Sequence, residues 1–168
     1  MNAANDDAKG GAAPAPPFPG TADSCGVEEG SPAERPWRLG AGQKVPVLLV
    51  EDSPLISRSL IDLIEEDGRC RVIHVVETEN DAVSVLATGS CCIAVIDLQL
   101  KQGSGLGVLG FLHHRADRPL TIVLTNFARP EIRAQCQALG AHHFFDKSRE
   151  FDRVMPAIET FLETRTDD

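Results

Sequence analysis

The chain has 168 residues, 42% hydrophobic and 24% charged, enough for one globular domain of ordinary size with some chain to spare. A net charge of −9 with no visible basic stripe argues against direct nucleic-acid binding by phosphate neutralisation. No apolar run approaches the ~20 residues of a membrane span, so no membrane partner is expected.

Ala, Gly and Pro supply 22 of the first 42 residues. Such a segment cannot bury enough apolar surface to offset its ordering entropy. Residues 1–43 are therefore expected to form a disordered tail and residues 44–168 the folded domain. Within the tail, "AERPWRLG" carries the only Trp. It reads either as linker with a stray aromatic or as a short docking segment that orders on a partner.

From residue 44 the texture changes. "VPVLLVEDSP" (45–54) begins as a buried strand, Val47 to Val50, and then sets Glu51 beside Asp52. Ser53 can cap and Pro54 can start a helix whose apolar face holds Ile56, Leu60, Leu63 and Ile64, closed by Gly68. Residues 71–77 read as a strand. Thr78 opens a capping box before Val85 and Leu86, and Gly89 ends that helix. Residues 91–97 form a continuous apolar run, followed by a helix capped by Ser104 with Leu106, Leu109 and Leu112. Residues 120–125 are the next strand, and Pro130 starts a helix with Ile132, Cys136 and Leu139, stopped by Gly140. Residues 141–148 read as a fifth strand. The last helix shows a stripe of Phe151, Val154, Met155, Ile158, Phe161 and Leu162.

This is β-α five times over. Continuous apolar strands are strands covered on both faces, and their alternation with helices implies a doubly wound parallel sheet, flavodoxin-like with strand order 2-1-3-4-5. In such sheets ligands bind outside the carboxyl ends of the strands. Those ends carry Glu51-Asp52 after strand one, Asp97 after strand three, Thr125-Asn126 after strand four and Asp146-Lys147 after strand five. Strand two ends in Glu77 and Thr78, further out.

Strands one and three would be neighbours, so three carboxylates converge and raise one another's pKa values unless something neutralises them. Mg²⁺, a hard cation that takes carboxylates, waters and a phosphate, resolves the conflict. Lys147 adds a compact positive charge and Thr125 a hydroxyl donor. Together these make a phosphoryl-transfer site in which a carboxylate can serve as nucleophile. Each acid could instead be a solvated helix-start or loop-capping residue, Lys147 a surface lysine, and Thr125 a simple β-branched strand end. The convergence favours the site. His113-His114 and His142-His143 are adjacent pairs that diverge on a helix or strand, so they read as structural.

The set Glu51-Asp52, Asp97, Thr125 and Lys147, with Gly105 eight residues after Asp97, resembles a bacterial response-regulator receiver domain over residues 45 to about 165. The resemblance implies roles by position. Asp97 would accept a phosphoryl group from the phosphohistidine of a sensor histidine kinase or phosphotransfer protein. Glu51 and Asp52, with Asp97 and the backbone carbonyl of Gln99, would hold Mg²⁺. Thr125 and Lys147 would read the phosphoryl group, and Phe144 falls where the family places its switch aromatic. The chain would be a stand-alone receiver without an output domain, a monomer or weak dimer acting on a downstream protein. It would be no enzyme beyond its own phosphorylation and dephosphorylation. The alternatives are a Mg²⁺-dependent phosphohydrolase with an aspartyl nucleophile, disfavoured because Gln99 stands where a second acid is wanted, and a phosphorylation-independent adaptor.

Three positions depart from the family pattern. Ser148 follows Lys147 where many receivers have proline, Lys101 stands where the loop after Asp97 often has proline, and Pro156 interrupts the last helix's stripe. That helix either starts late, near Asp152, or kinks. The start "MNAANDDAKGG" lacks the basic and apolar segments of a secretory signal. Five scattered cysteines without C-x-x-C spacing fit a reduced compartment, so a cytoplasmic address is expected. Cys91 and Cys92 would fill opposite faces of their strand.

Overall fold

The computed structural model describes residues 39–166. The expected disordered tail and the Trp37 segment lie outside the described residues, apart from residues 39–43. Those form a turn in which the Gln43 N–H donates to the Gly40 carbonyl at 3.0 Å, and Leu39 packs against the core.

Five strands, β1 (Val45–Val50), β2 (Cys70–Val76), β3 (Ile93–Ile96), β4 (Leu120–Thr125) and β5 (His143–Asp146), pair in parallel in the order β2-β1-β3-β4-β5. The helices are α1 (Pro54–Glu65), α2 (Glu79–Ala87), α3 (Gly105–His113), α4 (Pro130–Ala138) and α5 (Val154–Thr166). The apolar runs divide by parity. Val47, Leu49, Ile93, Val95, Ile122 and Leu124 face α1 and α5 through Leu60, Ile64, Val154, Ile158 and Leu162. Leu48, Val50, Ala94, Ile96 and Val123 face α2, α3 and α4 through Ala82, Leu86, Val108, Leu109, Leu112 and Cys136. With helices on both faces the central strands are apolar at nearly every position, Thr121 and Thr125 of β4 apart, which is why they read as continuous runs. Cys92 lies in the first layer and Cys91 in the second, on opposite faces as expected.

The helix starts follow the sequence. The side chains of Ser53, Thr78 and Ser104 accept from the Ile56, Asp81 and Gly107 N–H groups, and Pro130 opens α4 without a side-chain cap. Gly89 and Gly140, at φ 66° and 88°, take the left-handed turn after α2 and α4.

Two strands are shorter than the apolar runs suggest. Cys91, Cys92 and Asp97 fall outside β3, and residues 141, 142, 147 and 148 fall outside β5. The backbone stays tied, however: the Cys92 and Asp97 N–H groups donate to the Pro46 and Val50 carbonyls at 2.9 and 2.8 Å. At the last helix, a 3-10 turn over Phe151–Arg153 leads into α5, so Pro156 is its third residue. Backbone N–H groups in a helix's first turn have no partner inside the helix, so the proline interrupts nothing. The helix starts late rather than kinking. Pro156→Ala should therefore leave the unfolding free energy within about 0.5 kcal/mol of wild type. Ala157→Pro, one position further in, should cost about 3 kcal/mol or more. Urea unfolding followed by circular dichroism distinguishes the two, and a gain of about 3 kcal/mol in Pro156→Ala would mean that the proline interrupts the helical ladder.

Candidate functional site

The key side chains sit one residue beyond the ladder, each with its backbone pinned by a neighbouring strand. The Glu51 N–H donates to the Val76 carbonyl of β2 at 2.9 Å, Asp97 to Val50 of β1 at 2.8 Å, and Lys147 to Thr125 of β4 at 2.9 Å. Each strand thus fixes the first residue of its neighbour's loop. A side chain placed there is held as firmly as one in the sheet, yet points past its end.

Glu51 and Asp97 are 3% and 6% exposed. The Lys147 ammonium lies between them, 2.6 Å from Glu51 Oε2 and 2.8 Å from Asp97 Oδ2. Each acid uses its other oxygen for a backbone amide: Ser53 N–H reaches Glu51 Oε1 at 3.0 Å, and Gln99 N–H reaches Asp97 Oδ1 at 3.3 Å. Asp52 completes the group from the rim, half-buried, and one carboxylate oxygen from each of the three acids lies within 4.8 Å of the others.

Three acids face one ammonium, and that imbalance explains the electrostatics. Burial pushes the Glu51 carboxyl above its ordinary value, and the bonds from Lys147 and Ser53 only partly oppose it. Burial alone would lower the Lys147 pKa, but its bonds to Asp97 and Glu51 outweigh that and raise it. Both groups thus hold their protons more tightly, Glu51 chiefly through burial and Lys147 through the two carboxylates it bonds. A cluster of three hard carboxylate oxygens with charge left over fits a divalent cation such as Mg²⁺, with Glu51, Asp52 and Asp97 as the residues that could hold it.

Thr125 ends β4 fully buried, and its Oγ1 accepts the Phe127 N–H at 3.2 Å, holding the loop into α4. Phe144 is buried on β5 beneath Arg133 of α4. The guanidinium lies 4.6 Å from the ring centroid and donates to the Phe144 carbonyl at 3.0 Å. Arg133 also approaches Glu150 at 3.7 Å, and Glu150 accepts the Asp146 N–H at 2.9 Å. Sequence reasoning missed Arg133 and Glu150, since no periodic signal links an exposed helix position to a loop acid. Ser148, in place of the family's proline, donates to Asn126 Oδ1 at 3.1 Å and so ties the loops after β4 and β5.

The structure thus brings Glu51, Asp52, Asp97 and Lys147 into one group, while Thr125 ends β4 and Phe144 lies inside β5. The histidines are elsewhere in role. His142 Nδ1 accepts the Thr121 N–H at 3.0 Å, and His143 stacks on Phe145 with centroids 5.7 Å apart.

Comparison with known proteins matches residues 47–159 to the response regulator receiver domain model. Over 117 residues the chain is 30% identical to a nitrate/nitrite response regulator protein homolog of Haemophilus influenzae, covering 69% of this chain and 56% of that protein. The chain therefore matches little more than half of that relative's length. It is 27% identical over 135 residues to the acid tolerance regulatory protein ActR of Rhizobium meliloti, covering 79% of this chain and 69% of that one. Among solved structures, the non-phosphorylated HemR receiver domain of Leptospira biflexa superposes with a TM-score of 0.62 at 25% identity, over 70% of this chain and 93% of that one.

The charge imbalance predicts stability. In metal-free buffer Lys147→Met should cost about 3–5 kcal/mol, because it strands two buried carboxylates without a cation. Asp52→Asn should instead stabilise by about 1 kcal/mol, the size of one like-charge repulsion at this separation when water screens it, as it does at the rim. Urea unfolding in EDTA checks both, and destabilisation by Asp52→Asn would refute the imbalance.

Proposed function

The chain belongs to the response regulator receiver family, and from that premise we propose that it is a phosphorylatable switch whose acceptor is Asp97. The observation that carries this reading is the Lys147 ammonium bonded to both Glu51 and Asp97 where β1, β3 and β5 end. The donor is a phosphohistidine on a sensor histidine kinase or phosphotransfer protein. An Asp97 carboxylate oxygen attacks the phosphorus in line with the P–N bond. The new O–P bond forms as the P–N bond breaks, and its electron pair stays on the imidazole nitrogen.

Lys147 neutralises charge on the phosphoryl oxygens during transfer, trading its bond to Asp97 for one to the incoming group. Glu51, Asp52, Asp97 and the Gln99 carbonyl would hold Mg²⁺. Bound there, the ion would supply the rest of the charge neutralisation that phosphoryl transfer needs. Reset is hydrolysis: a water oxygen attacks phosphorus, the Asp97 O–P bond breaks, and the carboxylate and inorganic phosphate are restored. This self-limited cycle makes the chain an acceptor rather than a turnover enzyme.

The switch is a population shift. Thr125 Oγ1 accepts the Phe127 N–H; a turn of the side chain that brings its hydroxyl to donate to the phosphoryl group draws the oxygen away from that amide and loosens the loop into α4. Phe144 lacks a hydroxyl, so it follows by packing alone, against the grip of Arg133. The altered face then binds a downstream protein. Four free, buried cysteines support a reducing cytoplasm as the setting, and among the described residues no helix is long and apolar enough to cross a membrane.

Incubation with Mg²⁺ and a small acyl phosphate, followed by intact-mass measurement, should show one added phosphoryl group. The addition should be absent in Asp97→Asn and in EDTA. A wild-type chain that gains nothing from either the small donor or a cognate kinase would overturn the switch reading, and steady release of phosphate from a phosphomonoester would replace it with a hydrolase.

A further inference from the structure

The loop from Asp97 to α3 lacks the family's proline at Lys101, and something else must hold it. Its two ends meet at the acceptor. The Gly105 N–H donates to the Leu98 carbonyl at 3.0 Å, a Cβ on Gly105 would overlap the Asp97 carbonyl, and Gln99 bridges to Ser104. The far side of the loop is strapped to the junction of β2 and α2. Lys101 N–H donates to the Glu77 carbonyl at 3.1 Å, and the two side chains also form an ion pair. Glu79 then grips the loop twice. Its N–H donates to the Gln102 carbonyl at 3.0 Å, and its Oε2 accepts the Ser104 N–H at 2.8 Å.

The carboxylate also lies at the start of α3, where helix dipoles favour negative charge. Room for it comes from two glycines: a Cβ on Gly103 or on Gly107 would overlap the Glu79 side chain. Gly107 is thus the imprint of a carboxylate delivered from another helix, while Gly103, at φ 74°, also serves the turn and Gly105 the Asp97 carbonyl. Neither glycine's partner is visible in the local sequence, since Glu79 and Ser104 stand 25 positions apart.

We propose that Glu79 is a positioning residue for the phosphoryl-transfer site. It holds the 98–104 segment so that the Gln99 carbonyl, together with Asp97, presents to the cation. The inference rests on the switch reading for the metal but on geometry alone for the loop, and the two are measured separately.

Amide hydrogen exchange of the metal-free protein reads the loop. Ser104 and its neighbours should be protected in wild type, exchange at least tenfold faster in Glu79→Ala, and recover protection in Glu79→Gln, which keeps the acceptor. Isothermal titration with Mg²⁺ reads the site: Glu79→Ala should weaken binding about tenfold, the lower end for an outer-shell partner of a metal ligand, and Glu79→Gln should restore most of it. The glycine supplies an independent check. Gly107→Ala should lower Tm in wild type, where it expels the carboxylate, and raise Tm in a Glu79→Ala background, where the space is empty.

Unchanged exchange at Ser104, or faster exchange with unaltered Mg²⁺ affinity, would overturn the positioning role. A wild-type protein that binds no Mg²⁺ would refute the switch reading and the metal half of this inference. The exchange and Tm measurements would still decide whether Glu79 holds the loop.

Discussion

One ammonium group between two buried carboxylates sets the terms for the rest of the molecule. Lys147 bonds both Glu51 and Asp97, and Asp52 leaves the group with more negative charge than it can neutralise. Burying charge is costly unless it is paired, and half-paired charge remains a source of free energy. A site in that condition gains stability from a cation that enters it. Chemistry and fold stability are therefore linked through the same few atoms.

The fold's contribution is to make those atoms immobile. Parallel strands put every carboxyl end on one edge, and the ladder extends one bond further to pin Glu51, Asp97 and Lys147 through Val76, Val50 and Thr125. The apolar residues facing both helical layers keep this edge rigid, because none of the strands can slip without exposing one set to the wrong layer. Loops would ordinarily be the mobile part of such a molecule. Here the loop after Asp97 is closed on itself by Gly105 and bound to the end of β2 through Glu77 and Glu79.

Much of this was legible in the sequence, for identifiable reasons. A strand buried on both faces cannot hide its apolar run, so Val47–Val50, Ile93–Ile96 and Leu120–Thr125 announced themselves. Acids and a lysine directly after such runs are conspicuous because nothing in the packing asks for them. Strand ends were overextended where the apolar character outlasts the register, as at Cys91 and Cys92. Pro156 was ambiguous because composition does not say where a helix begins; the 3-10 turn through Phe151, whose ring packs on the core, decides it. Contacts such as Arg133 to Phe144 and Glu79 to Ser104 were invisible, since surface charges have no period and their partners lie on other elements. The direction of the Thr125 hydroxyl was equally hidden, because a threonine at a strand end satisfies β-propensity whichever way its oxygen turns.

The placement of β2 shows how far the constraint reaches. In the order β2-β1-β3-β4-β5 it lies at the edge, separated from Asp97 by β1, and its end residues Glu77 and Thr78 contribute nothing to the acidic group. Yet Val76 anchors Glu51, Glu77 anchors Lys101, and Thr78 caps the helix that presents Glu79 to the loop after Asp97. At the opposite edge, β5 supplies Lys147 and holds Phe144 under Arg133. Asp97 is therefore connected to both edges of the sheet, through the backbone on one side and through a side chain on the other. Of the two helical faces so reached, around α2–α3 and around α4–β5, only the second is joined to Asp97 through the ion pair itself.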